Sequence, residues 1–203
     1  MSEERRHGTV VAVVLAGGGS RRFGSDKLAA DVGGRRLLDR ALDGLPPGLA
    51  VVVVGPPRPV IRAVRFVQED PPGSGPAAGL VVGVRAALSE GAAAVVTMPG
   101  DAPDAGRATG MLLDALAGWG VAAVVATDAA GFDQPLQLAL TRGGAEALLA
   151  AAGPTGAAGE SARALVLRLQ SPVPRVTLPA TWLVDIDTSD EADDWLRGTG
   201  GLA

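Results

Sequence analysis

The amino-acid sequence predicts an α/β fold with a mostly parallel sheet, on three observations. Short continuous runs of β-branched and aliphatic residues recur along the chain, the pattern of strands buried on both faces. Segments of helical spacing lie between them, so strands and helices alternate as in βαβ units. Hydrophobic residues make up 47% of the chain and aromatics only 3%, so the core is built from Val, Leu and Ala. A length of 203 residues suits one domain spanning 1–203.

Residues 9–15 form the first predicted strand, stopped by Gly17-Gly18-Gly19-Ser20 and followed by a polar loop to Asp26. Residues 37–45 have helical spacing and end at Pro46-Pro47. A second buried strand at 51–54 stops at Gly55-Pro56-Pro57, and a short strand at 65–67 leads into Glu69-Asp70 and a Pro/Gly-rich stretch. Residues 77–88 read as a helix with Pro76 near its first turn. Residues 94–98 form a third buried strand, ending at Pro99-Gly100-Asp101, before a helix over 105–117 and a strand over 121–126. Residues 134–140 alternate less clearly and are expected as an antiparallel strand. Small helices are expected at 144–151 and 160–169, strands at Val176 and 183–186, and then a final helix. Thr188, with Glu191 three residues on, is a capping box for that helix. Residues 152–159 read as a loop.

Composition excludes several classes of function. A net charge of −4 argues against a broad nucleic-acid or anionic-membrane surface. The absence of Cys removes disulfides, thiolate metal sites and cysteine nucleophiles. The single His7 lies in a polar leader, which disfavours a histidine triad or zinc site. Only a strand-length apolar run follows that leader, so no secretory signal is expected, and no apolar stretch reaches the ~18 residues of a membrane span. A cytoplasmic location is the expectation.

In an open parallel sheet, ligands bind beyond the carboxyl ends of the strands. Three predicted strands end in chemically capable segments: residues 17–27, Gly100-Asp101 and residues 185–188. Consecutive glycines let the backbone approach a phosphate and turn several N–H groups toward it. Arg21, Arg22 and Lys27 bring positive charge to the same place. The run departs from a dinucleotide fingerprint, which would put Gly where Arg22 stands, and from a P-loop, because Ser25-Asp26 follow Gly24. The alternative is a glycine-rich turn with solvated basic residues. Asp101 suits a Mg²⁺ ligand or, alternatively, a turn and helix-cap residue beside Pro103. Asp185 and Asp187 alternate on the expected strand, so at most one is expected to face a site. The alternative role for both is capping the final helix. Arg58, Arg62 and Arg65 read as a solvated basic face.

Residues 15–27 resemble the signature of the molybdenum cofactor guanylyltransferases, roughly L-A-G-G-x-S-x-R-M-G-x-D-K, within the nucleoside-triphosphate transferases. The likeness continues along most of the chain. Asp70 with Gly75-Pro76 and Gly79 is similar to the family's D…G-P-L-x-G, and Gly100-Asp101-Ala102-Pro103 to its metal-binding D-x-P. Gln134-Pro135-Leu136 is similar to its x-P-L strand, and Asp185-Ile186-Asp187-Thr188 to its N-[IV]-N-T ending. The resemblance implies a Rossmann-like three-layer α/β/α fold of the nucleotide-diphospho-sugar transferase type. It also implies Mg²⁺-dependent transfer of GMP from GTP to molybdopterin, with release of pyrophosphate.

By the same resemblance Leu15, Ala16, Gly17, Gly18, Gly19, Ser20, Lys27, Asp70 and Gly75 would hold the nucleotide. Arg22, Lys27 and Asp101 would act in catalysis, and Asp101 and Asp187 would bind the metal. Gly18 stands where cytidylyltransferases of the family carry Ala, which points to guanine. Phe23 replaces the family's Met, Ala77 its Leu, and Ser189-Asp190 its Pro-Glu. Asp185 and Asp187 replace its Asn residues, and two extra negative charges beside a dianionic acceptor phosphate call for a bound cation. Partners would be GTP, molybdopterin and, transiently, a molybdoenzyme or cofactor-delivery protein. The competing readings are a cytidylyl- or sugar-phosphate nucleotidyltransferase of the same superfamily, and a non-catalytic GTP sensor. A sensor would bind nucleotide yet release no pyrophosphate with any acceptor.

Overall fold

The computed structural model describes residues 9–17, 26–169 and 172–199. Its strands are β1 (Val10–Leu15), β2 (Ala50–Val54), β3 (Arg65–Val67), β4 (Ala94–Pro99), β5 (Ala123–Thr127), β6 (Asp133–Thr141) and β7 (Arg175–Thr177). They form one sheet in the order β3-β2-β1-β4-β6-β5-β7. Only β6 runs antiparallel to its neighbours among these strands. The cause is local. A tight turn joins β5 to β6, in which the Asp128 carboxylate accepts from the N–H groups of Ala130 and Phe132, and so short a link can only reverse the chain.

The helices are α1 (Leu37–Asp43), α2 (Pro76–Ser89), α3 (Thr109–Trp119), α4 (Arg142–Ala152), α5 (Ala162–Leu167) and α6 (Ser189–Thr199). They divide between the two faces of the sheet, giving three layers. Ala12, Val14, Val51 and Val53 pack with residues of α1, α3 and α6. Val11, Val13, Val52 and Val54 pack with α2, α4 and α5. Successive strand residues point to opposite faces, so a run of Val without polar interruption is what a strand covered on both sides requires. α2 comes so close to the sheet that a Cβ on Gly83 would overlap the side chains of Val13 and Val54.

The final helix starts as its capping box requires. The Thr188 hydroxyl accepts from the Glu191 N–H at 3.2 Å, and the Glu191 carboxylate accepts from the Thr188 N–H at 2.9 Å. The helix expected from residue 105 begins as a 3₁₀ turn, Ala105–Ala108, before α3. The expected strand at 183–186 is not one. Residues 180–183 make a 3₁₀ turn instead, and an extended link follows that makes no ladder. Its apolar alternation has another purpose: Ile186 is fully buried, and its N–H donates to the Asp101 carbonyl at 2.9 Å. The link therefore crosses the carboxyl end of the sheet. No helix of the described residues is long and apolar enough to cross a membrane.

Candidate functional site

The carboxyl ends of β1, β2 and β4 are held level by two backbone hydrogen bonds. The Ala16 N–H donates to Val54 O at 2.8 Å, and the Gly100 N–H to Leu15 O at 2.9 Å. Beyond them opens a cavity of about 470 Å³ whose lining includes Leu15, Gly17, Glu69, Gly75, Asp101 and Leu136. Gly75, at φ +99°, takes a conformation that favours glycine and ends the loop leading into α2. The N-terminal end of that 14-residue helix borders the cavity through Pro76 and Gly79, so the positive end of its dipole lies alongside.

Lys27 joins the segments. Its ammonium lies 2.8 Å from Asp101 Oδ2 and 2.6 Å from Asp187 Oδ1, bridging the end of β4 to the link before α6. The sequence alone gave no reason to bury Lys27, yet its side chain is only 16% exposed. Burial by itself would lower its pKa, but hydrogen bonds and charge from Asp101 and Asp187 outweigh that and hold it above the usual lysine value. Lys27 therefore stays charged. The Asp26 carboxylate caps the 3₁₀ turn Lys27–Ala29 and also pairs with Arg58 at 2.5 Å. Arg58 also donates to Ala16 O at 2.9 Å, so one guanidinium ties the end of β1 to the turn carrying Lys27.

Asp185 was not expected to share a face with Asp187, because strand geometry would separate them. Without the strand, Asp185 feels Asp101, Asp187, Glu191 and Lys27 together. Its residue reaches solvent, but its carboxyl is crowded by protein. That loss of water first, and the charge of Asp101 next, push its pKa up to about 6 against the pull of Lys27.

The structure thus gathers Leu15, Gly17, Gly75 and Asp101 around the cavity, with Lys27 paired to Asp101 and also to Asp187. Ala16 is buried beneath them. Gly18, Gly19, Ser20 and Arg22 lie outside the described residues. Asp70 does not line the cavity: it is exposed, while its neighbour Glu69 is buried and takes the cavity wall. Sequence reasoning missed Glu69 because the choice between adjacent acids depends on which way the loop turns. It also placed Arg58 and Arg62 on a solvated face. Arg58 is 7% exposed, and Arg62 donates to the carbonyls of Leu42, Leu45, Pro46 and Leu49, closing the end of α1. Among the described residues no three His, Cys, Asp or Glu side chains form a metal-holding group. Asp101 and Asp187 both pair with the Lys27 ammonium.

Residues 12–172 match the family model described as the MobA-like NTP transferase domain. The chain belongs to this family. A molybdenum cofactor guanylyltransferase from Sinorhizobium fredii is 39% identical over 105 residues, which is 47% of each chain, so this chain spans about half the length of the curated relatives it matches. Among solved structures, molybdopterin-guanine dinucleotide biosynthesis protein A from Archaeoglobus fulgidus aligns with a TM-score of 0.70 at 18% identity, covering 94% of this chain and 99% of its own. A Mycobacterium tuberculosis protein crystallised as a complex with manganese aligns with a TM-score of 0.59 at 21% identity, over 93% of this chain and 98% of that one. At these identities the structural likenesses establish the fold. Gly17 and Asp101 follow adjoining strands, with Lys27 paired to Asp101, at the edge where open α/β sheets generally bind ligands.

Proposed function

We propose that this chain is a metal-dependent nucleotidyltransferase, moving GMP from GTP to the phosphate of molybdopterin with release of pyrophosphate. The observation that carries the reading is the Lys27 ammonium paired with both Asp187 and Asp101, the latter a wall residue of the glycine-lined cavity. Two carboxylates converging on one positive charge supply hard oxygen donors for a cation. This suits Mg²⁺, which takes one or two carboxylates and fills its remaining positions with phosphate oxygens and water. A divalent cation held there would neutralise charge on the transferred phosphoryl group and orient an in-line displacement.

The chain's own residues do the rest. In the reaction an acceptor phosphate oxygen forms a bond to the α-phosphorus while the bond to the β-phosphate oxygen breaks, so no protein nucleophile is required. A chain without Cys suits that chemistry. Gly17 gives the triphosphate close access to the backbone, and Lys27 exchanges its carboxylate partners for phosphate oxygens as charge moves to the leaving group. In this role Arg22 adds a second cation from the same loop. The reading brings with it a cytoplasmic site of action and a hand-off of product to a molybdoenzyme or delivery protein.

The test is titration calorimetry with GTP, CTP, ATP and UTP, each with Mg²⁺ and with chelator, beside pyrophosphate release in the presence of molybdopterin. GTP should bind most tightly, and pyrophosphate should appear only with metal and acceptor together. Equal or tighter binding of CTP would move the chain to the cytidylyltransferases. Nucleotide binding with no pyrophosphate would make it a sensor.

A further inference from the structure

We propose that Glu69 is the residue that reads the nucleobase, accepting two hydrogen bonds from the N1–H and 2-amino edge of guanine. The proposal rests on the nucleotidyl-transfer reading of the same cavity and adds the source of its base specificity. Glu69 is 8% exposed and sits in the cavity wall beside Gly17, Gly73 and Gly75. Its Oε1 accepts from the Gly73 N–H at 3.1 Å, which fixes the side chain against the loop before α2. Its Oε2 is buried without a hydrogen-bond partner. A buried carboxylate oxygen left unpaired is costly, and in a cavity wall it indicates a missing donor from a ligand.

A carboxylate is an acceptor only, so the chemistry of that donor is restricted. The phosphates of a nucleotide offer no donors and would be repelled by Glu69. Donors remain on the ribose hydroxyls and on the base. Guanine presents two N–H groups side by side, which match two carboxylate oxygens as a guanidinium does. Cytosine, adenine and uracil each offer one donor position on the corresponding edge. Gly17 adjoins the carboxylate: a Cβ there would stand 3.7 Å from Glu69 Oε1, at ordinary contact distance. Asp101 and its Lys27 partner also adjoin this cavity, so base and phosphates would face different groups of one wall.

The experiment compares binding of GTP, inosine triphosphate and xanthosine triphosphate, all with Mg²⁺, to the unmodified chain and to Glu69→Gln. Inosine lacks the 2-amino group, and losing one charge-assisted hydrogen bond should weaken it against GTP roughly 10- to 100-fold. Xanthine carries a carbonyl in place of that amino group. Glu69→Gln keeps the size and can still accept from Gly73, and its amide N–H can meet the xanthine carbonyl. The variant should therefore lose most of its GTP binding and gain binding of xanthosine triphosphate, reversing the preference. Equal binding of GTP and inosine triphosphate by the unmodified chain overturns the proposal without any variant. So does an equal loss for every nucleotide in Glu69→Gln, which would mean ribose contact or a structural role. If the unmodified chain binds no nucleoside triphosphate, the nucleotidyl-transfer reading itself fails. If it binds GTP but Glu69→Gln leaves the base preference unchanged, only the role of Glu69 fails.

Discussion

Lys27 Nζ lies 2.8 Å from Asp101 Oδ2, so the 3₁₀ turn that begins at Lys27 and the acidic turn after β4 meet in an ion pair at the carboxyl end of the sheet. The contact joins the two groups on which transfer chemistry would depend, one cationic and one able to hold a cation. It also means that neither can be altered alone without leaving the other's charge less compensated.

Lys27→Ala should lower turnover by about 10²–10³, the cost of losing one preorganised partner of the transition-state charge. Its side chain is only 16% exposed, and its removal takes a shared ammonium from Asp101 and Asp187. Because both carboxylates reach solvent, the loss of stability should stay within about 1 kcal/mol. Thermal denaturation beside a pyrophosphate-release assay measures both effects. Turnover near the unmodified rate would remove Lys27 from the mechanism.

Asp101→Asn keeps the size and removes the charge. It should abolish most metal-dependent turnover, while GTP binding in chelator stays unchanged or strengthens because a repulsive charge is gone. Asp187→Asn, whose side chain is 51% exposed, should cost much less. Calorimetric titration of GTP with Mg²⁺ and with chelator separates the two. Unaltered metal dependence in Asp101→Asn would leave Asp101 as a turn residue only.

Trp195→Phe tests how α6 is held. The Trp195 indole N–H donates to Asp104 Oδ2 at 2.8 Å, and the Arg40 guanidinium lies 5.1 Å from the ring centroid. Asp104 is buried and keeps Arg107 as a partner, so losing the indole donor should destabilise the fold by about 1–3 kcal/mol. Because Asp187 lies two residues before this helix, metal affinity should fall as well. Denaturant unfolding and a metal titration give the two numbers, and an unchanged metal titration would show that Asp187 is positioned without α6.

Gly83→Ala inserts a methyl group where α2 touches Val13 and Val54. Overpacking of this kind should cost about 1–3 kcal/mol, read from the midpoint of urea unfolding. A variant as stable as the parent would mean that α2 moves away from the sheet without penalty.

The Asp133–Arg175 pair, which ties β6 to the edge strand β7 at 2.5 Å, carries a pH dependence. The hydrogen bond from Arg175 holds the Asp133 carboxyl below the usual aspartate value. A carboxyl lowered by folding stabilises the fold above its unfolded pKa and loses that contribution as pH falls through the folded one. Arg175→Gln should therefore be less stable at neutral pH, with the difference closing below about pH 4 as the Asp133 carboxyl takes up its proton. Urea midpoints of both chains across pH 3–7 test this. A difference that persists unchanged at the acid end would show that the pair does not carry it.

Much of the molecule was legible in the sequence because the deciding forces are local. Uninterrupted Val runs specify strands buried on both faces, Thr188 and Glu191 specify the start of α6, and Asp101 stands at a strand end wherever that strand packs. The partners of each charge were decided only by tertiary structure. Lys27 and Asp187 are 160 residues apart, and nothing within a turn or a helical period of either one indicates the other. The alternating residues around Asp185 satisfy a strand and a buried crossing link equally well. The link prevails because Ile186 finds the core and the Asp101 carbonyl instead of a neighbouring strand. The burial of Glu69 in place of Asp70, and of Arg58 and Arg62 against backbone carbonyls, has the same origin. Which adjacent side chain turns inward depends on the packing of distant segments, and periodicity along one stretch of chain does not encode it.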